Sequence, residues 1–213
     1  MKKKVLIIIN IYKDESMSLA KEIAAYLKDK GVESEFLSFD GFCDNTPFES
    51  YSFVITLGGD GTVLFAARNC VNYDVPVFPV NLGQFGFIAT IQTDEWKKEL
   101  DLYLKGKYVI QKRSLIQAEL YRNNQLVVSS IGLNDIVISA KNTARTVALS
   151  VKTNGIHLCN LKSDGVIFST STGSTAYSAS AGGPIVSPEM DALIMTPLNS
   201  FSLSGRPIVL NPE

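Results

Sequence analysis

The sequence predicts an α/β protein with an N-terminal Rossmann-like parallel α/β domain and a C-terminal, mostly antiparallel β domain. Up to residue 92, short apolar strands alternate with helical segments, which is typical of a parallel sheet covered by helices. Beyond that point, alternating segments joined by turn residues dominate. We therefore expect a first domain over residues 1–92. A second domain over 93–213 should begin with a linker helix and be rich in β structure.

The elements of the first domain are predicted from apolar runs that end in turn residues. The expected strands are 5–10, 36–39, 53–57 and 75–80. Ser16 or Ser18 is a candidate N-cap for the first helix, which Gly31 would end. A second helix is expected over 63–71, directly after a glycine-rich turn. Ligands of such sheets bind at the carboxyl ends of the strands, so this turn is a candidate site.

The second domain is predicted to follow one helix with a series of hairpins. Thr93 is a candidate cap for a helix that runs through Leu104. Turns are expected at Asn123-Asn124 and at Asn154-Gly155, and the Asn-Gly pair is a strong hairpin signal. The expected strands are 108–120, 126–139, 146–152, 156–161 and 166–168.

Composition excludes several classes of protein. The chain has 213 residues, 46% of them hydrophobic, and a net charge of −1, which argues against a nucleic-acid partner. The apolar run after the N-terminal lysines is too short for a signal peptide, and no segment reaches the length of a membrane span, so we expect no membrane partner. Cys43, Cys70 and Cys159 are widely spaced, which suggests neither disulfides nor a zinc site and favours a cytoplasmic protein.

The sharpest local feature is the loop Gly58-Gly59-Asp60-Gly61-Thr62 between a strand and a helix. Glycines let the backbone approach a ligand, and N–H groups at a helix N-terminus suit phosphate. We assign Gly58, Gly59 and Thr62 to a phosphate loop. A carboxylate beside phosphates is costly unless it binds a metal or takes a proton, so Asp60 points to phosphoryl transfer. The alternative is a turn in which Asp60 only caps the helix.

Two further segments offer ligand groups. The turn Asn81–Phe87 also follows a strand, and Phe87 can offer an aromatic face to a purine, although a core phenylalanine is the commoner outcome. Asn134-Asp135 interrupts an apolar strand and offers both a donor and carboxylate acceptors, which suit ribose hydroxyls or an amide. A strand-end pair bonded to backbone is an equally good interpretation of these two residues.

The densest polar segment runs from Ser163-Asp164-Gly165 to Pro184 and is crowded with small hydroxyl residues. An apolar strand leads into it and Tyr177 is embedded in it, which favours packing near a ligand over a linker. Gly173-Ser174-Thr175 can open a short helix whose N-terminus and hydroxyls face phosphate or ribose.

Together these residues resemble the NAD kinase family. The family pattern comprises a Gly-Gly-Asp-Gly-Thr loop, an Asn-Leu-Gly-x-x-Gly-Phe turn, an Asn-Asp/Glu pair, and an Asp-Gly followed by a Thr-Gly-Ser-Thr-Ala-Tyr block. These map to Gly58–Thr62, Asn81–Phe87, Asn134-Asp135, Asp164-Gly165 and Thr172–Pro184. A lipid or sugar kinase of the same superfamily would share Asp60 but not the last block. A dinucleotide sensor that binds NAD without turnover is the other rival.

The resemblance implies transfer of the γ-phosphoryl group of ATP to the 2′-hydroxyl of the adenosine ribose of NAD, giving NADP. Asp60 would be the general base. The NAD-binding residues would be Gly61, Phe87, Asn134, Asp135, Asp164, Thr175, Ala176, Tyr177 and Ser180. Family members use ATP, some also polyphosphate, with Mg²⁺ or another divalent metal, and they form homodimers or homotetramers. Their second domain is a β-sandwich. The pattern assigns no metal ligands in this chain.

Two departures from the family pattern stand out. Lys162-Ser163 precede Asp164, where the family usually has a basic residue and alanine. The sequence also stops at Glu213, where the family continues with several more strands. The resemblance therefore leads us to expect an incomplete, C-terminally shortened second domain.

Overall fold

The computed structural model describes residues 4–41, 48–83, 86–142, 145–202 and 205–212. Cys43 lies outside these ranges, as do Gln84 and Phe85 of the predicted turn. The chain forms two compact units, Met1–Gln111 and Lys112–Glu213. No helix in the described ranges is long and apolar enough to cross a membrane.

The first unit is built on a parallel sheet of four strands in the order β2-β1-β3-β4. The strands are β1 (Lys4–Asn10), β2 (Glu33–Phe39), β3 (Phe53–Gly58) and β4 (Val77–Asn81). The helices are α1 (Ser16–Asp29), α2 (Asp60–Cys70) and α3 (Trp96–Leu104), and a 3₁₀ turn, Val71–Tyr73, follows α2. One apolar cluster packs α1 and α3 against the sheet. A separate cluster packs α2 against it. Residues 5–9 of β1 and all of β3 are therefore buried.

Helix α3 belongs to the core of the first unit. Trp96 and Leu100 are buried in the cluster that holds α1 against the sheet. The rings of Tyr26 and Trp96 meet edge to face at 5.4 Å, and the Tyr26 hydroxyl donates a 2.6 Å hydrogen bond to Asp101. The compact units accordingly divide at Gln111, whereas the sequence placed the boundary before this helix, at residue 92.

The second unit consists of antiparallel sheets and two short helical turns. Its strands are β5 (Ile116–Arg122), β6 (Gln125–Gly132), β7 (Asp135–Ser139), β8 (Val147–Thr153), β9 (Ile156–Ser163), β10 (Gly165–Thr170), β11 (Leu193–Leu198) and β12 (Ile208–Leu210). The 3₁₀ turn Thr172–Thr175 leads into α4 (Tyr177–Ser180). One sheet has the order β12-β11-β10-β7, and β5-β6 and β8-β9 are hairpins. Leu161 of β9 packs on Val166 and Met195, which joins the second hairpin to the larger sheet. The predicted fold class is confirmed.

The predicted N-caps are wrong. Helix α1 has Glu15 at its N-cap, without a side-chain cap, because the Ser16 hydroxyl donates instead to the carbonyls of Asn10 and Lys13. Helix α3 begins three residues after Thr93, at Trp96. A side chain that can cap a helix can also bond to a nearby turn, and the turn prevails here.

Two predicted strands of the second unit also differ. Residues 107–115 form no regular structure, so β5 begins at Ile116 rather than at 108. The predicted strand 126–139 is broken at Leu133-Asn134 into β6 and β7. The predicted turn at Asn123-Asn124 is confirmed, with φ of 51° and 60°. The turn at Asn154-Gly155 is confirmed as well, with φ of 48° and 78°.

Thr56, in the middle of β3, has no exposed surface, and its hydroxyl has no hydrogen-bond partner in the described part of the chain. Thr56→Val removes this hydroxyl and keeps the side-chain shape. We expect the free energy of unfolding to rise by up to about 1 kcal/mol, because an unpaired buried hydroxyl destabilises the fold. Chemical denaturation measures this. Thr196→Val is the matched control and should be destabilising, because it strips Ser178 of its 2.8 Å partner. Equal effects of the two changes would contradict the prediction.

Asp101 ties α3 to α1. The Tyr26 hydroxyl and the Lys30 ammonium hold the pKa of the Asp101 carboxyl below its usual value of 3.8. A carboxyl whose folded pKa is lowered stabilises the fold above its unfolded pKa, and loses that effect as the pH falls through the folded pKa. Asp101→Asn should therefore lower Tm at pH 7, and the difference from the parent should shrink below about pH 4. Thermal unfolding at both pH values measures this, and a difference that persists unchanged in acid would refute it.

Candidate active site

Asp60 is the first residue of α2, and its carboxylate binds the turn that follows β4. Oδ2 accepts a hydrogen bond from the Phe87 N–H at 3.0 Å. Oδ1 accepts from the N–H groups of Ile88 at 3.2 Å and Ala89 at 3.0 Å. The sequence left open whether Asp60 only caps its own helix, but its hydrogen bonds go to the other glycine turn.

The path of the chain after β4 explains this contact. Asn81 N–H donates to the carbonyl of Ile91 at 2.8 Å, and Ile91 N–H donates to the carbonyl of Pro79 at 3.2 Å. The chain therefore leaves the sheet edge after Asn81 and returns to it at Ile91. The Leu82 N–H also donates to the Gly58 carbonyl at 2.9 Å, which holds this segment beside the glycine loop.

The glycines of these two turns differ in how much space surrounds them. A Cβ at Gly58 would collide with the side chain of Thr62, and one at Gly86 would lie 2.8 Å from both Asp60 Oδ1 and the Ala89 carbonyl. These glycines are required by internal packing. A Cβ at Gly59 or Gly61 would meet nothing within 4 Å. Their open surroundings leave the backbone N–H groups at the start of α2 accessible to an anion.

The two oxygens of Asp60 differ in how many further hydrogen bonds they can accept. A carboxylate has about four lone-pair positions, two on each oxygen. Among the described residues, Oδ1 accepts two hydrogen bonds and Oδ2 accepts one. Oδ2 therefore keeps an acceptor position for a hydroxyl group brought by a ligand.

Phe87 is not a core residue: its side chain is 70% exposed. Its backbone N–H is held by Asp60, so the ring stands on a fixed turn with its faces accessible. This leaves the ligand interpretation of Phe87 and removes the core alternative.

Asn134 and Asp135 lie where β6 passes into β7. The Asn134 carbonyl accepts the Thr170 N–H at 2.9 Å, and Gly173 packs so closely on this peptide that any Cβ would overlap it. The Asn134 side-chain Oδ1 is buried and has no partner within the described ranges. The backbone of the pair is used by the fold, and the unpaired amide oxygen keeps the ligand interpretation as a prediction. Burial raises the pKa of the half-buried Asp135 carboxyl.

The hydroxyl-rich block divides into an inner and an outer set. The inner hydroxyls bond to the fold: Ser171 to the Met190 carbonyl at 2.6 Å, Ser174 to the Val186 carbonyl at 3.1 Å, and Ser178 to Thr196 at 2.8 Å. The outer set is half-buried or exposed and consists of Thr175, Ala176, Tyr177 and Ser180. These four are the residues of the block that the sequence assigned to NAD.

Asp164 is half-buried in the turn between β9 and β10. Its Oδ2 accepts a 2.9 Å hydrogen bond from Asn199, which with Ala181 and Arg206 lines an open cavity of about 320 Å³. The Lys162 ammonium lies 5.5 Å from the centre of the Phe201 ring, a cation–π contact.

The described residues contain no group of three His, Cys, Asp or Glu side chains placed to hold a metal ion. Cys70 and Cys159 are free thiols. Burial raises the pKa of the Cys70 thiol to about 12, so it stays protonated at neutral pH and behaves as a small apolar residue.

Comparison with known proteins identifies the family. Residues 40–108 match the family model of the ATP-NAD kinase N-terminal domain, and residues 133–213 match that of the ATP-NAD kinase C-terminal domain. The NAD kinase of Treponema denticola is 47% identical over 209 residues, which cover 98% of this chain and 74% of that protein. The chain belongs to the NAD kinase family. The resemblance found in the sequence motifs is thereby confirmed.

Solved structures agree with this family. Yeast NADH kinase complexed with NADH has a TM-score of 0.84 and 26% identity, over 99% of this chain and 70% of that one. An NAD kinase from Archaeoglobus fulgidus in complex with ATP has a TM-score of 0.77 and 24% identity, over 98% of this chain and 77% of that one. The second likeness concerns the fold alone.

The half-buried Asp135 carboxylate should cost the fold stability at neutral pH. Because burial raises its pKa above the usual 3.8, the cost is absent below about pH 4 and appears as the pH rises. Asp135→Asn should therefore raise Tm at pH 7, and the gain should vanish near about pH 3. Thermal unfolding at both pH values measures this. Asp164→Asn, whose carboxylate already has Asn199 as a partner, is the control and should bring no gain. A gain for Asp135→Asn that persists in acid would exclude burial of the charge as its cause.

Proposed function

We propose that this chain transfers the γ-phosphoryl group of ATP to the 2′-hydroxyl of the adenosine ribose of NAD, giving NADP and ADP. Membership of the NAD kinase family gives the reaction class. The observation that carries the mechanism is the Asp60 carboxylate, fixed by three backbone N–H groups beside two open glycines.

Asp60 acts as the general base. Its Oδ2 accepts the proton of the 2′-hydroxyl while the hydroxyl oxygen forms a bond to the γ-phosphorus. The bond from that phosphorus to the β–γ bridging oxygen breaks, and ADP leaves with the electron pair. Proton transfer by a positioned group contributes about 10²- to 10⁴-fold to such rates. The rest of the acceleration comes from position and charge neutralisation.

The glycine loop binds the triphosphate. Gly59 and Gly61 have open space around them. At the start of α2 the Thr62 N–H donates to the Gly59 carbonyl at 3.0 Å, which leaves the Asp60 and Gly61 N–H groups for an anion. Mg²⁺ or another divalent metal enters with the nucleotide, since phosphate oxygens and waters supply most ligands of such an ion. When bound, it would neutralise the charge that develops on the transferring group. Polyphosphate would present the same chemistry to this loop.

The proposed NAD-binding residues are found in each unit. Gly61 and the exposed Phe87 line the adenosine side, and the Asn134 amide with the Asp135 carboxylate hydrogen-bonds ribose hydroxyls. Asp164 approaches the nicotinamide side. The outer residues of the hydroxyl-rich block complete the set: Thr175, Ala176, Tyr177 and Ser180. The members of this outer set are half-buried or exposed, which supports their assignment. The homodimer or homotetramer and the cytoplasmic location stay predictions.

Asp60→Asn tests the general base. The amide oxygen can keep the Ile88 and Ala89 bonds, but the amide nitrogen then faces the Phe87 N–H and cannot accept a proton. We expect NADP formation from NAD, ATP and Mg²⁺ to fall by at least about 100-fold. NAD affinity, measured by calorimetry, should stay within about tenfold, because one hydrogen bond is lost.

Gly86→Ala is the complementary variant. It keeps the base but forces a Cβ to 2.8 Å from Asp60 Oδ1, so it loosens the turn that carries Phe87. It should weaken NAD affinity more than Asp60→Asn does. Unchanged turnover in Asp60→Asn would remove Asp60 from the base role. NAD binding without NADP formation by the parent would indicate a dinucleotide sensor, and no NAD binding would overturn the proposal for this chain.

A further inference from the structure

Asn10 is the last residue of β1, and it is part of none of the glycine or hydroxyl motifs. β1 lies beside β3, so Asn10 stands at the carboxyl edge of the sheet next to the loop that begins at Gly58. A Cβ built on Gly58 would lie 3.1 Å from the Asn10 Cβ. The end of β1 therefore touches the start of the phosphate loop directly.

The Asn10 side chain connects two turns. Its Nδ2 donates to the Thr62 hydroxyl at 3.4 Å, and its Oδ1 accepts the Tyr12 N–H at 3.0 Å. Its backbone carbonyl accepts the Ser16 hydroxyl at 2.8 Å. The half-buried amide is thus held by the turn after β1, and it holds the first turn of α2 in place.

Thr62 faces inwards. Its side chain is 1% exposed, and its hydroxyl lies so close to Gly58 that only glycine fits there. A hydroxyl in this position does not reach a ligand. The Thr62 hydroxyl packs against Gly58 and so supports the Gly58–Gly61 backbone. The Asn10 amide donates a hydrogen bond to this hydroxyl.

We infer that Asn10 is a positioning residue for the phosphoryl donor, acting through Thr62 on the backbone N–H groups of the glycine loop. The inference rests on the proposed function, in which this loop binds the triphosphate. N–H groups stabilise an anion only when they already point at it, so a loosened loop weakens ATP binding. Among the proposed NAD-binding residues Gly61 alone belongs to this loop, and none of them has a hydrogen bond to Asn10 among the described contacts. NAD binding should therefore be affected less than ATP binding.

The experiment compares five variants with the parent protein in steady-state NADP formation. Asn10→Ala and Thr62→Val each remove the hydrogen bond from one side, and each should raise KM for ATP about fivefold. The double variant should be no worse than the poorer single variant, because both remove the same interaction. Thr62→Ser keeps the hydroxyl and should restore the parent value. Thr56→Val makes the same chemical change six residues earlier, outside the site, and should leave KM for ATP unchanged.

Calorimetry with NAD alone and with Mg·ATP alone supplies the second readout. NAD affinity should stay within about twofold of the parent in Asn10→Ala and Thr62→Val, and Mg·ATP affinity should fall about fivefold. Equal losses for both ligands would mean that the bond only stabilises the fold, and they would overturn the inference. So would KM values for ATP within about twofold of the parent, or additive effects in the double variant. If Asn10→Ala does not fold, the comparison of Thr62→Val with Thr62→Ser decides. A parent that forms no NADP would refute the proposed function, and Mg·ATP binding would still test the positioning role.

Discussion

The first unit depends on one interaction, the Asp60 carboxylate with the N–H groups of Phe87, Ile88 and Ala89. These bonds join two loops that leave neighbouring strands and that would otherwise end independently at the edge of the sheet. Hydrogen bonds to a carboxylate are about twice as strong as neutral ones, so three of them fix both loops. The same atoms that would take part in the reaction therefore also define the shape of the site. A catalytic base that is held in this way needs little reorganisation when charge develops beside it.

In the second unit, close packing and neutral hydrogen bonds hold the chain segments in place without a charged group. Gly173 lies against the peptide of Asn134, and Thr170 bonds to the carbonyls of Leu133 and Asn134, so the break between β6 and β7 is set by contacts to β10 and the following turn. The buried hydroxyls of Ser171 and Ser174 donate to carbonyls, and the Ser178 hydroxyl pairs with that of Thr196. Each satisfied hydroxyl avoids the cost of an unpaired polar group, which lets a polar segment pack like a core.

Periodicity and turn chemistry were enough to predict the fold class, the strands of the first sheet and both asparagine turns, because these features are local. Helix starts were not predictable: the Ser16 hydroxyl bonds to a turn instead, and α3 begins after Thr93. The contact of Asp60 with residues 87–89 spans 27 to 29 positions, and no local pattern encodes it. The inward direction of Thr62 and its bond to Asn10 also depend on strand order. Phe87 shows the same limit, since exposure is a property of the packed turn.

The division of the hydroxyl-rich block into inner and outer residues bears on how the specificity of this protein can be redesigned. The hydroxyls of Ser174 and Ser178 are buried and bonded within the fold, so substitutions at these positions would destabilise it. The side chains of Thr175, Ala176, Tyr177 and Ser180 make no such bonds in the described structure, so libraries restricted to these positions would vary the proposed ligand contacts without destabilising the fold. A segment that looks uniform in composition thus contains a small, separable set of adjustable positions on a rigid frame.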